Sequence, residues 1–258
     1  MKVTDKITIT NEDCMELLKR TPDNFYDLSI CDPPYGILNK TKRGGDRKFN
    51  MDEYSQWDVK PDDEYFNELF RVSKNQIIWG GNYFGQIWAR SPYNKGFVIW
   101  DKNQPETLNN FSMAEMAWSS LDKPSKIFRF SVRKNRNKIH PTQKPIELYE
   151  WLLKMYAKQG DKILDTHLGS GTIAIACYNA GLSLTACEIS ETYYLNSLEK
   201  IKEFIPENAI HTNDSDSFSL IFPEQTKSKN ELYNLYQEQV KYLKLFKEER
   251  AKYYASMI

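Results

Sequence analysis

The chain has 258 residues, 40% of them hydrophobic and 27% charged, and its 35 basic and 35 acidic side chains cancel to a formal net charge of zero. Those proportions are ordinary for a soluble globular protein long enough to bury a full core. No apolar run has the length of a signal peptide or a bilayer span, and Cys14, Cys31, Cys177 and Cys187 show no CxxC pairing. A cytoplasmic protein with reduced thiols, no membrane association and no zinc site is therefore expected.

Lys6–Thr10 alternates and is β-branched, which predicts a strand. Cys14–Arg20 reads as a short helix capped by Asn11 or Asp13. After the Pro22-Asp23-Asn24 turn, Asp27–Cys31 is a short buried strand that Pro33-Pro34 stops abruptly. The corner Asp32-Pro33-Pro34-Tyr35 has restricted backbone before anything binds. It offers a carboxylate, bare carbonyls and an exposed ring, a set that suits an exocyclic amine on a flat heterocycle. A plain strand exit with a capping Asp explains the tetrapeptide alone equally simply.

Residues 36–61 form a long polar segment carrying Lys40, Lys42, Arg43, Arg47 and Lys48, with Trp57 near its end. A loop of this length reads as a flap that orders on nucleic acid, or as a solvated insertion. Asp62–Val72 is helical by pattern, with Tyr65, Phe66, Leu69 and Phe70 on one side. Gln76–Trp79 is a buried strand leaving through Gly80-Gly81-Asn82, where backbone approaches a ligand or base, or simply turns. Gly96–Trp100 is a further strand closing on Asp101-Lys102, and Phe111–Ser120 reads as strand. Between Lys123 and Lys144 there are eight basic residues and no acid. Lys126–Val132 alternates basic with apolar residues, which predicts a ribbon with a basic face and an aromatic interior for nucleic-acid docking; a lysine-protected edge strand is the alternative.

His140–Pro145 introduces an amphipathic helix over Pro145–Lys158, with Leu148, Trp151, Leu152 and Met155 at helical spacing. The strand Lys162–Leu164 leads into the glycine-rich turn Asp165–Gly171, the helix Thr172–Ala180 and the strand Leu184–Cys187, which delivers Glu188. This is a βαβ unit whose closing carboxylate can hold a ribose diol. A dinucleotide site is the competing reading, weakened by the missing third glycine after Gly169-x-Gly171. Glu191–Phe204 is a helix, Pro206–Lys229 is irregular, and Asn230–Ile258 reads as a long helix. Its stripe of Leu232, Tyr236, Leu243, Phe246, Tyr253 and Met257 packs on the chain's own core or forms a dimer contact.

Three stretches together carry a family resemblance. Asp32-Pro33-Pro34-Tyr35 after a hydrophobic strand resembles the catalytic motif of amino-methyltransferases that methylate adenine N6 or cytosine N4 in DNA with S-adenosylmethionine. Asp165-Thr166-His167-Leu168-Gly169-Ser170-Gly171-Thr172 resembles that family's cofactor motif, and His140-Pro141-Thr142-Gln143-Lys144-Pro145 resembles the segment leading into it. The resemblance implies an α/β, Rossmann-like S-adenosylmethionine-dependent methyltransferase fold. With the catalytic strand first and the cofactor unit last, it implies the circularly permuted β class, carrying a small target-recognition insertion and a C-terminal helix. Residues 1–102 would be the catalytic half, 103–137 the target-recognition region, 138–204 the cofactor half and 205–258 a linker and helix.

By the same resemblance Asp32, Pro33, Pro34 and Tyr35 are catalytic. Asp13, Cys14, Asp32, His140, Thr142, Lys144, Asp165, His167, Leu168, Gly169, Ser170, Gly171, Thr172 and Glu188 hold S-adenosylmethionine, with no metal. Lys40, Lys42, Arg43, Arg47, Lys48, Lys126, Arg129, Arg133, Lys134 and Arg136 contact double-stranded DNA. The family usually has Asp-Pro-Phe where this chain has Asp165-Thr166-His167, and an imidazole there would make cofactor affinity pH-sensitive. Adenine N6 is the implied target, since cytosine-N4 members more often carry serine at the position of Asp32. A cytosine-N4 enzyme, an RNA or protein-amide methyltransferase and a catalytically silent DNA-binding subunit are the alternatives. A homodimer and a cognate restriction endonuclease acting on the same site are the further partners the resemblance brings with it.

Overall fold

The computed structural model of the protein describes residues 2–37, 58–90, 96–104, 112–131 and 138–210. The first half of the chain supplies β1 (Ile7–Asn11), α1 (Cys14–Arg20), β2 (Leu28–Cys31), α2 (Asp63–Val72), β3 (Gln76–Trp79) and α3 (Gly85–Trp88). Then follow β4 (Phe97–Asp101), β5 (Ala114–Ser119), β6 (Lys126–Arg129), α4 (Ile146–Tyr156), β7 (Lys162–Asp165), α5 (Thr172–Ala180), β8 (Ser183–Glu188) and α6 (Glu191–Phe204). The eight strands form one sheet in the order β1-β8-β7-β2-β3-β5-β4-β6.

From β1 through β3 every pairing is parallel, whereas β5 runs antiparallel to both β3 and β4. The central strands β2 and β3 are buried at every position, including the polar Ser29 and Gln76, which fits a strand covered on both faces. Period-two alternation divides their side chains between two cores. Leu28, Ile30, Ile77, Ile163 and Ala186 face a cluster shared with Leu148, Leu152, Ile173, Ile175 and Ile201 of α4, α5 and α6. Cys31, Ile78, Leu164 and Cys187 face Leu17, Leu18, Tyr65, Phe66 and Leu69 of α1 and α2. The result is a three-layer α/β/α arrangement.

This arrangement fixes where a ligand can bind. The chain leaves β7 toward β8 and leaves β2 toward β3, so the strand order reverses between β7 and β2. Crevices at the carboxyl ends of such strands are the binding sites of open α/β sheets. Asp32 follows β2 and the glycine turn follows β7, so both face that crevice. β1 closes the far side by pairing with β8, with Asn11 opposite Glu188.

Local signals set the helix ends as expected: Asp13 caps α1 by accepting from the Met15 N–H at 2.8 Å, and Asp62 caps α2 by accepting from the Tyr65 N–H. The ribbon at 126–132 differs from expectation. Its described strand is the outer edge beside β4, and alternation puts Phe128 on a face with Lys126 and Ile127 with Arg129. Charges and aromatics therefore do not segregate; Phe128 packs on Trp151, while Ile127 is 53% exposed. The predicted helix Asn230–Ile258 and Lys40, Lys42, Arg43, Arg47, Lys48, Arg133, Lys134 and Arg136 lie outside the described residues. Among the described residues no helix is long and apolar enough to cross a membrane, and all four cysteines are unpaired thiols.

Phe66 is fully buried between α2 and the sheet, edge-on to Tyr65 and tilted against Phe84. Phe66→Ala should cost roughly 3–5 kcal/mol of stability, read from the urea unfolding midpoint.

Candidate active site

One cavity of about 1060 Å³ runs along the carboxyl ends of the parallel strands. Sites for a single small molecule span roughly 300–1,000 Å³, so this one has room for two ligands end to end. The catalytic tetrapeptide lines one end. Asp13, Cys14, Leu168, Gly169 and Glu188 line the other.

At the first end the Asp32 carboxylate is engaged on both oxygens. Oδ1 accepts from the Tyr35 hydroxyl and Oδ2 is paired with the Lys144 ammonium. Lys144, with its side chain only 1% exposed, also lies 3.3 Å from Glu115 Oε2 and over the Trp79 ring. Glu115 in turn pairs with Lys102 at 2.7 Å. The result is a chain of alternating charges, Asp32–Lys144–Glu115–Lys102, whose formal sum is zero. Burial pushes the Asp32 carboxyl up, and Lys144 pulls it back against the repulsion of Glu115. Burial opposes the charge on Lys144 as well, but Asp32 and Glu115 outweigh it and raise its pKa. Glu115 is half-buried, and the two lysines hold it below the usual carboxylate range.

Tyr35, expected as an exposed ring, is half-buried. Its ring stacks on Tyr83 with centroids 5.0 Å apart, and its hydroxyl turns inward to Asp32. The Gly80-Gly81 exit explains this, and Gly80 also lines the cavity. A Cβ on Gly80 would lie 2.2 Å from Tyr35 Cε1, and one on Gly81 would lie 2.4 Å from Trp118 Cβ. The two glycines clear space for the protein's own aromatic rings. Gly36, which ends the corner, donates its N–H to the buried Asp58 carboxylate at 3.0 Å.

At the second end Glu188 is fixed by two backbone donors, Gly169 N–H to Oε2 and Ser190 N–H to Oε1, both 2.9 Å. Each oxygen keeps a lone pair for a ligand hydroxyl. Gly169 and Gly171 adopt φ of +55° and +72°, which only glycine tolerates at low cost. Gly171 caps α5, and its missing side chain admits Ile201 and Ser197 of α6, so it shapes the turn from behind. Ser170 and Thr172 are buried within reach of each other in the same turn. His140 lies edge-on to Tyr193 with centroids 4.4 Å apart and is 3.1 Å from the Thr142 hydroxyl. Burial pushes its pKa down to about 3, so the ring is neutral. Asp13 spends one oxygen on its helix cap and still borders the cavity beside Cys14.

The Thr166-His167 pair is built in by hydrogen bonds. Thr166 Oγ1 is 2.7 Å from the Tyr65 hydroxyl and 2.9 Å from His167 Nδ1, which fixes the imidazole plane on the cavity wall. Burial pushes the His167 pKa down to about 4, slightly offset by Asp13. The ring is therefore uncharged at neutral pH, and its charge change falls near pH 4.

All four residues predicted to be catalytic line the cavity. Of the residues predicted to hold the cofactor, Asp165 and Gly171 stand behind it and the others border it. Lys126 and Arg129 lie on β6, away from the cavity, and Arg129 pairs with Asp101 at 3.2 Å. Sequence reasoning missed Glu115 and Lys102. An acid inside the apolar strand Ala114–Ser119 was the available signal, because a carboxylate there needs a cation nearby.

A family model described as DNA methylase (N6_N4_Mtase) matches residues 59–200. The type II methyltransferase M.HpaI of Haemophilus parainfluenzae is 26% identical over 230 residues, covering 72% of this chain and 71% of that protein. Among solved structures, the M1.HpyAVI–SAM complex superposes with a TM-score of 0.53 at 19% identity, covering 75% of this chain and 99% of that one. The PvuII DNA methyltransferase (cytosine-N4-specific) also superposes with a TM-score of 0.53, at 14% identity over 78% of this chain and 92% of that one. These likenesses establish the methyltransferase fold.

Asp165 accepts the His167 N–H at 3.0 Å, yet burial raises its carboxyl pKa to about 7, with Asp32 and Glu188 adding repulsion. The folded state therefore binds this proton more tightly than the unfolded chain, and ionisation destabilises it as pH rises from about 4 to 7. Asp165→Asn should raise the melting temperature relative to wild type at pH 8, with the difference shrinking toward pH 5.

Proposed function

The chain belongs to the N6_N4_Mtase family of DNA methylases, and from that premise we propose that it methylates the exocyclic N6 of adenine at a short site in duplex DNA, using S-adenosylmethionine. The observation that carries this reading is a single cavity joining a diol-accepting carboxylate, Glu188, to an amine-accepting one, Asp32. The donor set fits that cofactor. Glu188 offers lone pairs to ribose hydroxyls, Asp13 borders the cavity as an acceptor for an adenine amine, and the N–H of Gly169 is turned onto Glu188 rather than toward a phosphate.

S-adenosylmethionine supplies an electrophilic methyl group on a sulfonium. The protein's part is positioning and electrostatics. The target base must leave the helix, because its amine is inaccessible inside the stack. Asp32 and the Pro33 carbonyl then accept the two amine hydrogens, which draws the nitrogen lone pair out of conjugation and aims it along the cavity. Tyr35 supplies the aromatic surface for the base, backed by Tyr83. Residues 138–204 with β1 make the cofactor half, and residues up to 102 make the catalytic half. A strand order in which the N-terminal β1 completes the cofactor half supports a circular permutation of the β class.

Asp32 favours adenine over cytosine, by the resemblance in which serine is commoner among cytosine-N4 enzymes. The likeness to a cytosine-N4-specific enzyme keeps cytosine as the second reading. Nucleoside mass spectrometry of DNA incubated with the protein and S-adenosylmethionine decides between them. N6-methyladenine is expected; N4-methylcytosine would overturn the choice of base, and no methylated base would overturn the DNA reading. Asp32→Ala should lower turnover at least about 100-fold while cofactor binding by calorimetry stays within a few-fold.

Because His167 is neutral above about pH 4, its replacement by Phe should leave the pH profile of cofactor affinity between pH 5.5 and 8 superimposable on wild type. A slope present in wild type and missing from His167→Phe would contradict the assigned neutral ring.

A further inference from the structure

We propose that Lys144 and Glu115 are positioning residues for methyl transfer, which hold the Asp32 carboxylate in the orientation that accepts from the target amine. The inference rests on the reading of Asp32 as the amine acceptor. It goes further by moving Lys144 from the cofactor to the catalytic carboxylate and by giving a role to Glu115.

The prolines fix the backbone of the corner but leave the Asp32 side chain two free torsions. Each oxygen is then tied by a donor from a different direction, Tyr35 on Oδ1 and Lys144 on Oδ2. Two tethers on one planar group leave it a single orientation, and each oxygen retains a lone pair for an incoming donor. Lys144 is itself anchored. Its turn is braced by Gln143, whose Oε1 accepts the Ile139 N–H at 3.1 Å, and the next residue, Pro145, begins α4. Glu115 holds the other side of the ammonium from β5, where it pairs across from Trp100, and Lys102 at the end of β4 balances it.

With so little of its side chain exposed, Lys144 acts through Asp32 rather than on a ligand. A buried carboxylate also needs a cation to remain an acceptor rather than take up a proton. The groups facing Asp32 are Tyr35 on its own corner, Lys144 from the 140–145 turn, Glu115 from β5, Asp165 from β7 and Tyr149 from α4, with Lys102 behind Glu115. Only Lys144 among these brings a positive charge into contact with it.

The test uses the full-length protein, with kcat, KM for DNA, the pH profile and cofactor Kd measured for each variant. Lys144→Met should lower kcat at least about 100-fold at pH 7 and restore it by about tenfold per pH unit as Asp32 ionises, with cofactor Kd within threefold of wild type. Lys144→Arg should recover kcat to within about tenfold with the wild-type pH profile. Glu115→Gln should lower kcat about tenfold at unchanged cofactor Kd, and Lys144→Met with Glu115→Gln should cost no more than Lys144→Met alone. Should Lys144→Met fail to fold, Glu115→Gln and Lys144→Arg carry the same comparison. A cofactor Kd weakened tenfold with kcat retained would return Lys144 to the cofactor and overturn the inference. So would additive losses, or a wild-type pH profile in Lys144→Met. Absence of any methylated base with the wild-type protein would refute the function itself, and that outcome is distinct from all of these.

Discussion

The ion pair between Asp32 and Lys144 is the interaction on which the arrangement of the site depends. Neither charge is stable alone in a cleft this enclosed, and removing one partner of such a pair is strongly destabilising. Their partners Glu115 and Lys102 extend the same requirement to β5 and β4. The catalytic corner, the turn before α4 and the antiparallel end of the sheet must therefore all be in place before any one of them is electrostatically satisfied. Such a network contributes less to net stability than to uniqueness, because few other packings would neutralise these four ions around the buried Lys144 at once.

What the sequence made legible followed from local physics. The helix Thr172–Ala180 was readable to the residue because Gly171 and Gly181 bracket it with left-handed caps. The buried strands at Asp27–Cys31 and Gln76–Trp79 were equally clear, and the cap of α1 was narrowed to Asn11 or Asp13. Each depends on a few adjacent residues. The ion network was not legible, because 112 residues separate Asp32 from Lys144 and nothing local to either marks the other. The family motif drew Lys144 toward the cofactor, since that is where the neighbouring His140 and Thr142 point.

Gly80 shows a subtler limit. A glycine pair at a strand exit does announce close approach, and the approach is real. A glycine says nothing about what approaches it. Here Tyr35 and Trp118 fill the space beside the two glycines. At Lys126–Val132 the described strand is an edge strand, as the alternative reading had it, and its charges and aromatics do not segregate. Its residues alternate, but alternation assigns faces by parity, and Lys126 and Phe128 share one parity. The basic and aromatic characters were therefore never on opposite sides.

The two ends of the cavity solve opposite electrostatic problems with the same residue type. Glu188 is tied down by backbone N–H groups, which fix its orientation without neutralising it, a form suited to neutral hydroxyls. Asp32 lines the same cavity but has a cation beside it. A carboxylate held only by amides there would drift toward the protonated form under burial and lose its acceptor capacity. A full cation alongside keeps it ionised, and Glu115 holds the other side of that cation at 3.3 Å. Lys144 shared between two carboxylates is thus the arrangement that lets a buried acid remain a fixed acceptor, and it accounts for an acidic residue in the middle of an otherwise apolar strand.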